Sequence, residues 1–173
     1  MCLNDSSVPK FERNNLINSV FGTSVMSSFK VFDFNTNESL NAISVSAKHD
    51  AYEDNFNYVH ERTIKINKKD NNLSGVDNLI PGLEKKKIVN NYSIRFHLYP
   101  GITAVQTFSK NSILIQIEKN KSLVFTATGE NISLEKSIFL ARNRIINNSC
   151  ITVSGLLQNN EAKSIHWELK KNY

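Results

Sequence analysis

The chain has little of what staples a small fold or marks a familiar active site. Its 173 residues include two cysteines, three prolines, six glycines and one tryptophan. Cys2 and Cys150 belong to no closely spaced pair, so the sequence encodes neither a zinc knuckle nor a disulfide framework, and both read as free thiols. No apolar run approaches the length that crosses a bilayer. The first residues also lack the basic stretch and apolar core of a secretion signal, so membrane insertion is not expected and a literal reading starts the chain in the cytoplasm. P-loop, dinucleotide fingerprint, HExxH and nucleophile elbow are all missing, which removes the commonest signatures of nucleotide, zinc and serine chemistry. A Ser-His-Asp set built on His49 and Asp50 has nothing to single out its serine.

What remains is a chain of one-domain size with a hydrophobic fraction of 40%, enough to bury a core without staples. Lys and Arg total 21 against 16 Asp and Glu, a net charge of +5 that favours polyanions in general. The densest basic run, Lys85-Lys86-Lys87, follows Pro81-Gly82 in a loop and reads as solvated surface. No strand interleaves aromatic with basic residues, so a nucleic-acid platform is not expected.

Hydrophobic alternation of period two recurs along the chain and no helix of ordinary length is compelling, so the expectation is an all-β antiparallel sandwich. Residues 1–18 read as a loose lead-in and 19–173 as a single sandwich domain, with 18–25 either a short strand or a connection. Strands are expected at 29–34, with a turn at 35–38, and then at 41–48, 58–66, 73–77 and 92–99. The longest connection is expected at 79–91. Further strands are expected at 102–108, 113–117, 123–127, 131–140, 150–154 and 162–170. In the last of these, Ile165, Trp167 and Leu169 point inward, and His166 and Glu168 outward.

The stretch that carries functional meaning is His49-Asp50-Ala51-Tyr52, followed by His60-Glu61-Arg62 and the alternating tail Thr63-Ile64-Lys65-Ile66. His49 and Asp50 are expected where a strand runs into a loop. Tyr58, His60, Arg62, Ile64 and Ile66 share a face, which suggests a polar rim grading into an apolar core. Downstream, Ile94, Phe96 and Leu98 face one way, and Arg95, His97 and Tyr99 the other. His49, Asp50, His60 and His97 carry metal-donor atoms, but not at a local ligand spacing, and no metal is assigned.

His49-Asp50-x-Tyr52, His60-x-Arg62, Leu73-x-Gly75-x-Asp77 and Arg95-Phe96-His97-Leu98 with Pro100-Gly101, in that order, resemble the C-terminal β-sandwich of heparinase II/III-like proteins. The resemblance covers residues 21–170, and the segment Leu134-Glu135-Lys136-Ser137 fits it as well. Ala51 stands where the family usually has Gly, and Tyr99 where a second His is common, so no role can rest on an imidazole at 99. The resemblance implies lyase cleavage of a uronate-containing acidic polysaccharide by β-elimination, with no cofactor beyond a structural metal, whose occupancy the sequence leaves open. It also implies a partner helical toroid encoded upstream, and a cell-envelope or periplasmic setting.

Elimination needs a base, an acid and groups that neutralise the carboxylate. His49, Tyr52, His60, Arg62, Arg95 and His97 are candidate substrate-binding residues of the right types. No catalytic residue carries over, because the family's catalytic groups come from the toroid and a His-rich early part of the sandwich. The chain alone is therefore expected to be inactive. The alternative is a non-catalytic carbohydrate-binding or assembly module. Scaffold roles for the same residues have His49-Asp50 fixing its loop, Arg62 paired with an acid and Tyr52 as a lid.

Overall fold

The computed structural model describes residues 1–7, 19, 28–84, 86–141, 144–158 and 160–172. Its strands begin with two short ones, β1 (Cys2–Leu3) and β2 (Ser6–Ser7). A meander follows, made of β3 (Val31–Glu38), β4 (Ala42–Tyr52), β5 (Tyr58–Asn67) and β6 (Asn72–Pro81), with a single helical turn, α1 (Glu53–Phe56), between β4 and β5. The remaining strands are β7 (Asn91–His97), β8 (Thr103–Gln106), β9 (Ser112–Glu118), β10 (Lys121–Ala127), β11 (Asn131–Ala141), β12 (Arg144–Leu156) and β13 (Lys163–Asn172). Asparagine takes several of the left-handed turn positions between strands. Asn57 (φ 57°) ends α1, and Asn71 (φ 51°) closes the β5–β6 connection. Asn tolerates that region better than most residues because its short amide bonds locally.

These strands form two antiparallel sheets, as the alternation implied. One has eight strands in the order β3-β4-β5-β6-β13-β10-β9-β8, and the other five in the order β11-β12-β7-β1-β2. β13 joins the two meanders of the large sheet by pairing with β6 on one side and β10 on the other. Ile165 and Trp167 are buried at this seam, while His166 is exposed. β11 packs over β8, β9 and β10. Phe96 of β7 meets Phe125 and Trp167, with ring centroids 5.0 and 4.9 Å apart. The core between the sheets includes Leu3, Tyr58, Leu79, Ile94, Ile113, Val153 and Ile165.

Several sequence expectations shift. Residues 2–7 are not a loose lead-in: β1 pairs with β7 through Cys2↔Ser93 and Leu3↔Tyr92, and Leu3 is 0% exposed. The remainder of that lead-in, and the uncertain segment 18–25 apart from Ser19, lie outside the described residues. The turn expected at 35–38 is strand, and the chain reverses instead at 39–41, where the Ser39 hydroxyl accepts from the Ala42 amide. β6 runs on to Pro81, which shortens the expected long connection. The gradient along β5 is reversed: Tyr58 and His60 are buried, whereas Ile66 is 44% exposed. The five-stranded sheet covers the Tyr58 end and leaves the Ile66 end bare, and which end is covered is a tertiary matter that periodicity does not encode.

Candidate functional site

Asp77 is the centre of the polar cluster inside the sandwich. It lies on the inner face of β6, in register with Arg62 of β5 and Ile165 of β13, and its side chain is 0% exposed. Three donors converge on it. His60 Nε2 lies 2.7 Å from Oδ1, Arg62 Nε donates to the same oxygen at 2.7 Å, and Trp167 Nε1 donates to Oδ2 at 2.8 Å. Burial raises the cost of the Asp77 charge. The hydrogen bonds from His60 and Arg62 and the Arg62 charge outweigh that cost and hold the carboxyl below its ordinary range. The Trp167 indole reaches Asp77 because Gly75, its partner across β6–β13, has no side chain. A Cβ at Gly75 would fall 2.1 Å from Trp167 Cζ2.

A second imidazole extends the cluster outward. His49 of β4 pairs across with His60, and its Nε2 lies 2.8 Å from His60 Nδ1. Sequence placed His49 and Asp50 where a strand runs into a loop; β4 instead continues through them to Tyr52, and its register shifts between His49 and Tyr52. That irregularity turns the Ala51 amide back to donate to His49 Nδ1 at 3.3 Å. The protons can then be assigned in sequence. Because Nδ1 of His49 accepts, its proton sits on Nε2 and is donated to His60 Nδ1, so His60 carries its own proton on Nε2, toward Asp77. Desolvation first, and repulsion from a positive charge on His60 next, lower the His49 pKa to about 4.

Tyr52 is buried and its hydroxyl donates to the Met1 carbonyl, while burial pushes its pKa upward. Asp50 leaves the cluster: its Oδ1 accepts from the Lys30 amide at 2.7 Å and ties the start of β3 to β4. His49, Tyr52, His60 and Arg62 line one open cleft of about 260 Å³, together with Met1, Val31, Ala47 and Lys48.

Arg95 and His97 do not join them. They share one face of β7, as the alternation implied, but it is the face opposite Phe96, which points toward Arg62 and Trp167. His97 Nδ1 lies 2.9 Å from the Ser137 hydroxyl, and an Arg95 Nη lies 3.9 Å from Cys2 Sγ. The donor atoms of His49, Asp50, His60 and His97 therefore do not converge, and no group of three or more metal-type ligands occurs among the described residues. Sequence reasoning missed Asp77 and Trp167 as members of the site. The available signal was a charged residue in step with Leu73, Gly75 and Leu79 on a face that is otherwise apolar or small.

Comparison with known proteins adds to this geometry. The family described as "Heparinase II/III-like, C-terminal" matches residues 1–168, further toward the N-terminus than the motif resemblance reached. Among solved structures, the chain is similar to heparan sulfate lyase HepC from Pedobacter heparinus. The TM-score is 0.69 at 12% identity, covering 82% of this chain and 22% of the lyase. A crystal structure of heparinase III gives a TM-score of 0.64 at 15% identity, over 85% of this chain and 22% of that one. Another heparinase III gives 0.65 at 11% identity, over 84% and 22%. The chain thus spans about a fifth of the length of these lyases. Comparison with curated proteins finds no match.

Proposed function

The chain belongs to the heparinase II/III-like C-terminal family, and from that membership we propose that it forms the sandwich part of a lyase that cleaves uronate-containing acidic polysaccharides by β-elimination. We further propose that it does not turn over alone. The observation that carries this second statement is the engagement of both imidazoles and the phenol in the cleft. Both nitrogens of His49 and both of His60 already have partners, and the Tyr52 hydroxyl is spent on the Met1 carbonyl. A general base needs an unpartnered lone pair within reach of the substrate proton, and neither the two imidazoles nor the Tyr52 phenol presents one. The groups that perform the elimination then belong to a toroid outside this chain, and an acidic-polysaccharide substrate suits a cell-envelope or periplasmic setting.

The net charge of +5 supports attraction to the polymer. Incubation with heparan-type and alginate-type polymers, followed by near-UV absorbance of unsaturated uronate, tests the reading. The expected result is retention of the polymer, weakening with salt, and no absorbance gain. Steady product formation that vanishes in His49→Ala would overturn it. A binding or assembly module without any lyase context is the rival. It is favoured by the exposed apolar end of the β11–β12 hairpin, where Leu140 and Ile145 stand in solvent. It predicts no product even when the toroid is supplied.

A further inference from the structure

The wide sheet projects past the narrow one as a single layer. All eight residues of β3 are exposed, and so are Ile64, Lys65 and Ile66 in a row toward the far end of β5, so this corner of the sheet meets solvent on both faces. Register fixes which side chains turn inward. Val31 pairs with His49, Thr36 with Val45, Val45 with Ile64 and Ile43 with Ile66, and the same rows run on through Gly75 and Leu73 toward the core. Phe34, two residues before Thr36, falls on that side too. The inward face of the projection therefore carries Val31, Phe34, Val45, Ile64 and Ile66, which are 63, 66, 36, 36 and 44% exposed.

Five apolar side chains gathered on one face form a contact surface, not scattered exposure. Its chemistry selects the partner. Glu38 and Lys68 at the rim neutralise each other at 2.7 Å, and Arg62, at the edge nearest the core, is paired with Asp77. The five side chains themselves carry no charge, so a polyanion or an anionic bilayer finds no fixed cation over the face. A neutral apolar surface of matching shape fits it, and a second copy of this chain supplies one. The layer that one copy lacks is one sheet thick, and so is the layer that the other projects.

We propose that two copies pack these projections face to face about a two-fold axis, each filling the layer that the other's narrow sheet leaves empty. Sheets stacked in this way sit about 10 Å apart with their inner side chains interdigitated. The contact is isologous, so it closes at two copies and does not propagate. At roughly 150–200 Å² for a fully exposed side chain of this size, the five residues offer about 400 Å² per copy. The pair buries about 800 Å² from these side chains, and Thr36 and the β3 backbone bring the total near the ~1,000 Å² at the low end of specific interfaces. Such a contact dissociates in the micromolar range, so dilute protein is monomeric with its projection bare. The inference stands apart from the lyase reading.

Sedimentation equilibrium from about 1 to about 300 µM, a range that brackets micromolar dissociation, tests it. The expected result is a monomer at the low end and a dimer, with no larger species, at the high end. Because each copy carries +5, added salt should strengthen the association. Deuterium uptake at Ile64 and Ile66 should slow several-fold over the same range, while uptake at Leu140 on the β11–β12 hairpin stays constant. Val45→Lys points a charge into solvent in the monomer and into the centre of the dimer. It should keep the wild-type circular dichroism and weaken dimerisation about tenfold or more. Phe34→Ser makes the same test without a charge, should the lysine variant fold poorly, and Leu140→Lys should leave the dimer intact. A chain that stays monomeric throughout, or association that continues past two copies, overturns the proposal. So does association that survives both Val45→Lys and Phe34→Ser, or that Leu140→Lys abolishes. Slow exchange at Ile64 and Ile66 that does not change with concentration would assign the cover to another part of the same chain and overturn it as well.

Discussion

A fully buried carboxylate is tolerated only when its partners replace the water it has lost, and Asp77 has three such partners. Asp77→Ala would leave the Arg62 charge and two further donors facing a void. The expected loss is about 3–5 kcal/mol of unfolding free energy in urea. Gly75→Ala drives a methyl group into the indole and should cost about 1–3 kcal/mol, with a red shift of the Trp167 emission as the ring leaves Asp77.

The two titrations at this site act in the same direction. Asp77 has its pKa depressed on folding, so its contribution is complete above the unfolded carboxylate value and is lost as pH falls through the folded one. His49 is also lowered on folding, from 6.5 to about 4, so in that window the unfolded chain binds more protons and stability climbs with pH. Urea midpoints measured across that window should rise with pH in the wild type and rise less in His49→Gln. At this scale, residue types were legible in the sequence, whereas their partners were not. His60 and Arg62 stand out as polar positions on an apolar face, but nothing local tells that Asp77, Arg62 and Trp167 meet across three strands.

Strands with clean alternation could be read directly, and short or polar ones could not. β7 and β13 present the two faces their sequences imply, whereas the polar first half of β12, ahead of Cys150, escaped notice. Which face of β7 turns toward the large sheet depends on Ile94 and Phe96 finding Trp167 and Phe125, and that leaves Arg95 and His97 on the far side. β1 has only two residues, below any readable period, yet Leu3 fills the core and the Met1 carbonyl receives Tyr52. Leu3→Ala should therefore cost about 2–5 kcal/mol, as a core truncation does and a terminal tail would not. Comparing its urea midpoint with that of an exposed control, Leu83→Ala, checks this.

Across the whole molecule the two layers differ in width, eight strands against five. The narrow sheet ends in the two-residue β2, and Val45, Ile64 and Ile66 remain exposed on the inner face of the wide one. Apolar surface of that kind promotes association. Replacing Ile64 and Ile66 together with threonine should leave the urea midpoint nearly unchanged while reducing any concentration-dependent sedimentation.

The unequal coverage also divides the amides of a single strand into two populations. Deuterium should enter the Ile64–Ile66 end of β5 through local fraying, within the earliest labelling times. It should enter at Tyr58 and His60 only when the whole barrier to unfolding is crossed. A strand of uniform hydrogen bonding would then carry a gradient of opening free energy along its length.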